Sequence, residues 1–140
     1  EWAARLMAGS EPWITLGREI EACRIACGPR PEYELFIAHE GGRPCGFILC
    51  HPRGLAGSAY IASIAVADDF RGRGIGARLL HFAEDRYRSV SRHIFLCVSS
   101  FNTRARQLYE RHGYAAVGEF NDYVIEGASE ILMHKRLSKS

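Results

Sequence analysis

The feature that most restricts this chain is a junction near its middle, Val66-Ala-Asp-Asp-Phe-Arg71-Gly72-Arg73-Gly74-Ile75-Gly76-Ala77. Before it, Ala59–Val66 (AYIASIAV) reads as a strand rich in small residues. After it, Ile75, Leu79, Ala83, Tyr87 and Val90 mark one apolar helical stripe. A further strand, His93–Val98 (HIFLCV), follows. Strand, helix and strand in succession require a parallel pair, because the helix returns the chain to the edge where it started. The glycines between lack a Cβ, so the backbone can turn sharply and aim several N–H groups at one centre. A helix N-terminus adds unpaired donors and the positive end of a dipole. Together these make a phosphate cradle, to which Arg71 and Arg73 can add charge-assisted contacts.

The glycines alone do not choose a ligand. A Walker A loop ends in Gly-Lys-Ser/Thr, whereas here Gly76 is followed by Ala77 and Arg78. The dinucleotide pattern G-x-G-x-x-G/A is formally matched by Gly72, Gly74 and Ala77. It also needs an acid about 20 residues on, and none stands between Asp85 and Glu110. A lone triplet also reads as a tight strand-to-helix turn and nothing more.

Around the junction, residues 1–9 read as a short helix, Ser10–Pro12 as a break, and residues 15–27 as a helix carrying Leu16, Ile20, Cys23 and Cys27. Glu34–Glu40 and Pro44–Cys50 form a hairpin about Gly41-Gly42, followed by a loop over 52–57. Asn102 can cap a helix that buries Ala105, Leu108, Tyr109 and His112 and stops at Gly113. Strands over about Tyr114–Phe120 and Ser129–Leu137 close the chain. The expected fold is therefore α/β (α+β), a mixed, mostly antiparallel sheet of six or seven strands flanked by about four helices. The 140 residues fit one domain, 1–140, and can bury about two-thirds of the unfolded surface without disulfides or metal. The five cysteines show no C-x-x-C spacing and read as buried hydrophobes in a reducing, cytoplasmic setting. No signal peptide or membrane-length apolar run is visible in these residues, so no membrane partner is expected. The net charge of +2 is segregated: residues 71–111 hold nine arginines against three acids, while 1–70 hold six basic residues against nine acids. A basic middle favours an anionic ligand. Nucleic acid is not the expected one, since no nucleic-acid module is present.

Two motifs together narrow the choice. Arg-x-x-Gly-x-Gly at 71–76 resembles motif A of the GNAT acyltransferases, Q/R-x-x-G-x-G/A. Ile64-Ala65-Val66 resembles the family strand that precedes it, and Asn102 to Tyr114 resembles its N-x-x-A-x-x-L-Y-x-x-x-G-F/Y helix. The likeness covers about residues 44–137 and is nearest in pattern to bacterial ribosomal-protein-alanine acetyltransferases. It implies an N-acetyltransferase that moves an acetyl group from acetyl-CoA to a primary amine in a ternary complex, with no metal. It also implies that Gly72, Arg73, Gly74, Ile75, Gly76 and Ala77, with Arg71, hold the pyrophosphate. Ile64, Ala65 and Val66 would bond the pantetheine arm and the thioester oxygen, Asn102 would contact the arm, and Tyr109 would protonate the departing thiolate.

The base is where the likeness breaks. The ribosomal-protein subgroup reads W-L-E-V on the strand before the second motif, and this chain reads Phe95-Leu96-Cys97-Val98. A buried thiol is no substitute for that Glu. Glu11, Asp122 and His51 are candidate acids or bases on loops or strand ends, although each reads first as an ordinary surface residue. On the acceptor side, Trp13 and Tyr123 beside Glu11 and Asp122 suit a cationic amine, although taken singly Trp13 reads first as a staple between two helices and Asp122 as a turn residue. A non-catalytic acyl-CoA-binding or sensor module is the alternative function. A monomer or homodimer is expected.

Overall fold

A computed structural model describes residues 1–138. Two short helices, α1 (Trp2–Ala8) and α2 (Ile20–Cys27), precede the strands β1 (Glu34–Glu40), β2 (Arg43–Leu55) and β3 (Ser58–Val66). A single 3-10 turn at Asp68–Phe70 leads into α3 (Ile75–Tyr87), then β4 (His93–Ser99) and α4 (Thr103–Arg111). The hairpin of β5 (Ala115–Phe120) and β6 (Glu130–Arg136) follows. One six-stranded sheet runs in the order β1-β2-β3-β4-β6-β5. Among the described residues only β3 and β4 pair in parallel, with α3 as their crossover. No helix among the described residues is long and apolar enough to cross a membrane.

The two faces of the sheet bury different sets of side chains, as the two-residue period of strands requires. Ile48, Cys50, Ile61, Ile94, Leu96, Val98, Ile131 and Met133 pack with Leu79, Leu80 and Ala83 of α3 and Tyr109 of α4. On the other face Phe47, Leu49 and Ala65 pack with Ala3, Ala4 and Met7 of α1, Cys23 of α2, and Trp13. Across α3, the buried Glu84 carboxylate accepts from Tyr114 Oη at 3.0 Å and Lys135 Nζ at 2.9 Å, so this buried charge is paired.

Several boundaries differ from those expected. The second helix starts at Ile20, and Leu16 lies in a turn whose Glu11 carboxylate accepts from Thr15 N–H and Oγ1–H. A local side-chain acceptor there competes with helix propagation. The segment 52–57 is no loop: β2 continues to Leu55 and turns through Ala56 (φ 50) and Gly57 (φ 80). Two positive φ values in a two-residue turn match the twist of the flanking strands. Helix α3 ends at Tyr87, and Val90 is 75% exposed rather than part of the stripe. In α4 only Tyr109 is buried, while Ala105 and Leu108 pack at the core's edge and His112 is the half-buried C-cap. Cys27 is half-buried, whereas Cys23, Cys45 and Cys50 are buried.

Candidate active site

Parallel pairing between β3 and β4 is short. It holds at Ala59↔Ile94, Tyr60↔Phe95 and Ile61↔Leu96, and beyond these the strands part. The cause lies on the other edge of β3. There Leu49 faces Ser63 and Cys50 faces Ile61, so Ala62 is an extra residue. Such a bulge bends its strand and increases the local twist. Residues Ser63–Val66 stay bonded to β2, while their other backbone edge opens into the gap.

The gap forms a cleft of about 830 Å³. Ile64, Ala65, Val66, Arg71, Gly72, Gly74, Ile75, Gly76, Ala77, Asn102 and Tyr109 all line it. Arg73 does not. Its guanidinium lies over the Phe70 ring at 5.3 Å and reaches Glu40 Oε2 at 3.4 Å. Arg71 lines the cleft while its Nε forms an ion pair with Asp68 Oδ1 at 2.8 Å. Arg104 and Arg111 also line it and have no carboxylate partner among the described residues. Several other cations of the basic stretch are paired away, among them Arg86 with Glu34 and Arg88 with Asp85.

The glycine loop leaves open space and free backbone donors at the start of α3. Gly72 (φ 78) and Gly74 (φ 75, ψ 15) are left-handed, and a Cβ at either would meet no atom within 4 Å. The first helical N–H to find a carbonyl is that of Arg78, on Gly74 O at 3.1 Å. Among the described residues the N–H groups from Gly72 to Ala77 have no protein acceptor. Free donors, open space and the positive end of α3 therefore coincide at one place. Gly76 has a different role: a Cβ there would come within 3.0 Å of Leu108 Cδ2, so it sets how closely α3 and α4 approach.

Asn102 caps α4 through Oδ1, which accepts from Ala105 N–H at a long 3.4 Å. Tyr109 is 6% exposed, with its ring edge-to-face on Tyr114. Burial raises its phenol above the ordinary value, and the hydroxyl has no protein partner among the described residues. Cys97 lines the cleft with a thiol pushed up by burial, the state of an unreactive cysteine.

The candidate acids and bases fare unequally. Glu11 lines the cleft, and its bonds to Thr15 hold its carboxyl below the usual range. Asp122 lies outside the lining, where its Oδ1 accepts from Gly127 N–H at 2.7 Å and braces the β5–β6 loop. His51 is also outside, accepting from Arg53 N–H through Nδ1 and packing against Tyr33. Trp13 and Tyr123 both line the cleft, the first buried and the second 70% exposed. Sequence reading missed Tyr60, Ser99 and Glu130, which the sheet brings to the same cleft wall beside Cys97. Only the pairing Ser99↔Glu130 and the splay of β4 reveal them.

Residues 4–114 match the sequence profile of the acetyltransferase (GNAT) family. The chain belongs to that family. An uncharacterized N-acetyltransferase of Methanocaldococcus jannaschii is 35% identical over 72% of the chain, and the match spans 65% of that relative, just under two thirds of its length. Among solved structures, an aminoglycoside 6'-N-acetyltransferase complexed with coenzyme A is 19% identical, with a TM-score of 0.76 over 99% of this chain and 90% of its own. The ribosomal-protein-S18-alanine N-acetyltransferase of Escherichia coli is 21% identical, with a TM-score of 0.75 over 98% and 88%. At these identities the two structures share the fold with this chain.

Proposed function

We propose that the protein transfers an acetyl group from acetyl-CoA to a primary amine by direct attack while both substrates are bound. The observation that carries this reading is the meeting of three features in one cleft: the splayed edge of β3, the unpaired N–H groups of the glycine loop, and the Tyr109 phenol. Bound acetyl-CoA would supply an activated thioester. Gly72–Ala77 would hold its pyrophosphate through backbone N–H groups and the α3 dipole. Arg71 would add charge, while Arg73, tied to Glu40, would act only through the local field. The open backbone edge of Ile64, Ala65 and Val66 would bond the pantetheine arm as a further strand would, and an N–H there would face the thioester oxygen. Asn102 would bound the arm from the other wall. Tyr109, protonated at neutral pH, would give its proton to the departing sulfur. Five free thiols suit a cytoplasmic setting for this reaction.

A non-catalytic acyl-CoA-binding module is the second reading, and Cys97 favours it, because the thiol stands where one subgroup carries its basic Glu. One experiment separates the two. Acetyl-CoA at 100 times its Kd should add about 2.7 kcal/mol to stability, a rise in Tm of about 10 °C for a domain of this size. With an amine panel of peptides, lysine derivatives and small amines, free CoA should then appear. A Tm rise without transfer to any amine selects the binding module. An unmoved Tm with both acetyl-CoA and CoA rejects both readings.

A further inference from the structure

We propose that Glu130 is the general base that takes the proton from the attacking amine. This rests on the transferase reading above and adds the group that neither of its sequence motifs contains. Glu130 opens β6 and faces Ser99 of β4 in the antiparallel register, so the two side chains share a face with Cys97. That face lines the cleft. Ser99 is 1% exposed, and its Oγ donates to Glu130 Oε2 at 2.5 Å. This bond holds one carboxylate oxygen and leaves the other, Oε1, as an acceptor. Cys97 and the Tyr60 phenol complete the local set, and both feel the Glu130 charge. From the β5 side Glu119 is occupied, since its Oε2 accepts from Ser129 Oγ at 2.7 Å. No cation pairs with Glu130 among the described residues.

The other carboxylates are poorer choices on geometry. Both oxygens of Glu11 are held by Thr15, and Asp122 is tied to Gly127 outside the cleft. Cys97 is a thiol with burial against its ionised form. Glu130 thus supplies, from the neighbouring strand, the negative charge that β4 lacks at position 97. An ammonium entering the cleft would meet this carboxylate first as a counter-ion and then as a proton acceptor. In the step, the amine nitrogen bonds the acyl carbon and the carbon–sulfur bond breaks. Glu130 takes the first proton, from the ammonium, before the nitrogen attacks. Tyr109 protonates the sulfur, and its phenolate recovers the second proton, which the nitrogen loses as the amide forms.

The test is Glu130→Gln. Gln can still accept from Ser99 through its amide oxygen, so the fold and that bond should persist while the base is lost. In the full chain, the Kd for acetyl-CoA and the melting curve should match the parent. Turnover of the best amine from the panel should fall by about 10²–10⁴-fold. The variant's rate should also climb with pH as the amine loses its own proton, where the parent's rises less steeply. A merely structural role would leave that slope unchanged. If the amines are slow, transfer of the acetyl group to water gives a second reading, since the same carboxylate would take the water's proton. Parent-like turnover and pH slope in the variant overturn the role of Glu130 and leave the transferase reading intact. A parent that moves the acetyl group to neither amine nor water overturns the transferase reading, and this role with it.

Discussion

At Tyr109 a single oxygen atom separates an acid catalyst from a packing residue. Its ring packs between α4 and the core, and the position in the helix motif explains why it is aromatic. Burial raises the phenol, which keeps it protonated but makes it a weaker acid. Burial would raise a thiolate formed beside it as well, so the proton transfer depends on the difference between the two. Tyr109→Phe keeps the packing and removes the hydroxyl. Turnover should drop by about 10²–10⁴-fold with the Kd for CoA nearly constant, read by steady-state kinetics and calorimetry. An active parent that loses nothing in the Phe variant would show that the sulfur leaves unaided. Tyr109 was legible because its spacing from Asn102 lies within one helix. Glu130 and Tyr60 were not, because each lies on a strand whose neighbours come from distant sequence.

Among the elements, the glycine loop and the bulge in β3 divide the work of building the cleft. The loop is local: its left-handed residues, its N–H groups and the start of α3 all follow from consecutive residues, and its outline was legible. The structure adds that Gly74 faces open space. A side chain there would fill the cleft rather than collide with protein. Gly74→Asp should therefore fold, since Asp tolerates a left-handed backbone better than most residues. It should weaken acetyl-CoA binding by roughly 100-fold or more, about 2.7 kcal/mol, through lost space and like charge. Undiminished affinity in a folded variant would reduce the loop to a turn. The bulge at Ala62 could not be read from AYIASIAV, since an extra residue exists only relative to the strand it faces. The start of α2 and the turn at Ala56-Gly57 differ from their local sequence signals for a related reason. Helical spacing at Leu16 and a Pro-Gly-rich stretch after His51 are weak local signals that tertiary pairing overrode.

For the whole molecule, pH should act on stability in two stages. His134 and His112 both sit below their ordinary value of 6.5, chiefly because burial disfavours the charged ring. A depressed histidine leaves stability intact above pH 6.5 and erodes it as pH falls from there towards the folded value. Glu34 is also depressed, through hydrogen bonds from Arg86 and then Tyr87. Its contribution is present above its ordinary 4.5 and is lost as pH falls through its lower folded value. The Tm should thus decline first below pH 6.5 and again below pH 4.5. His134→Gln should flatten the first decline and Glu34→Gln the second, in thermal melts across buffers of equal ionic strength. Equal declines in parent and variants would remove these groups from the account. The sequence by itself determined the parallel crossover, the left-handed glycine loop, and the placing of Asn102 at the start of α4 and Tyr109 on it, because each is set by contacts within a few turns or one connection. The tertiary structure alone decided where β3 and β4 part, that Arg73 turns away to Glu40, and that Glu130 stands beside Cys97. Those facts depend on strand register and on charges that meet across the sheet, and no local stretch of sequence encodes either.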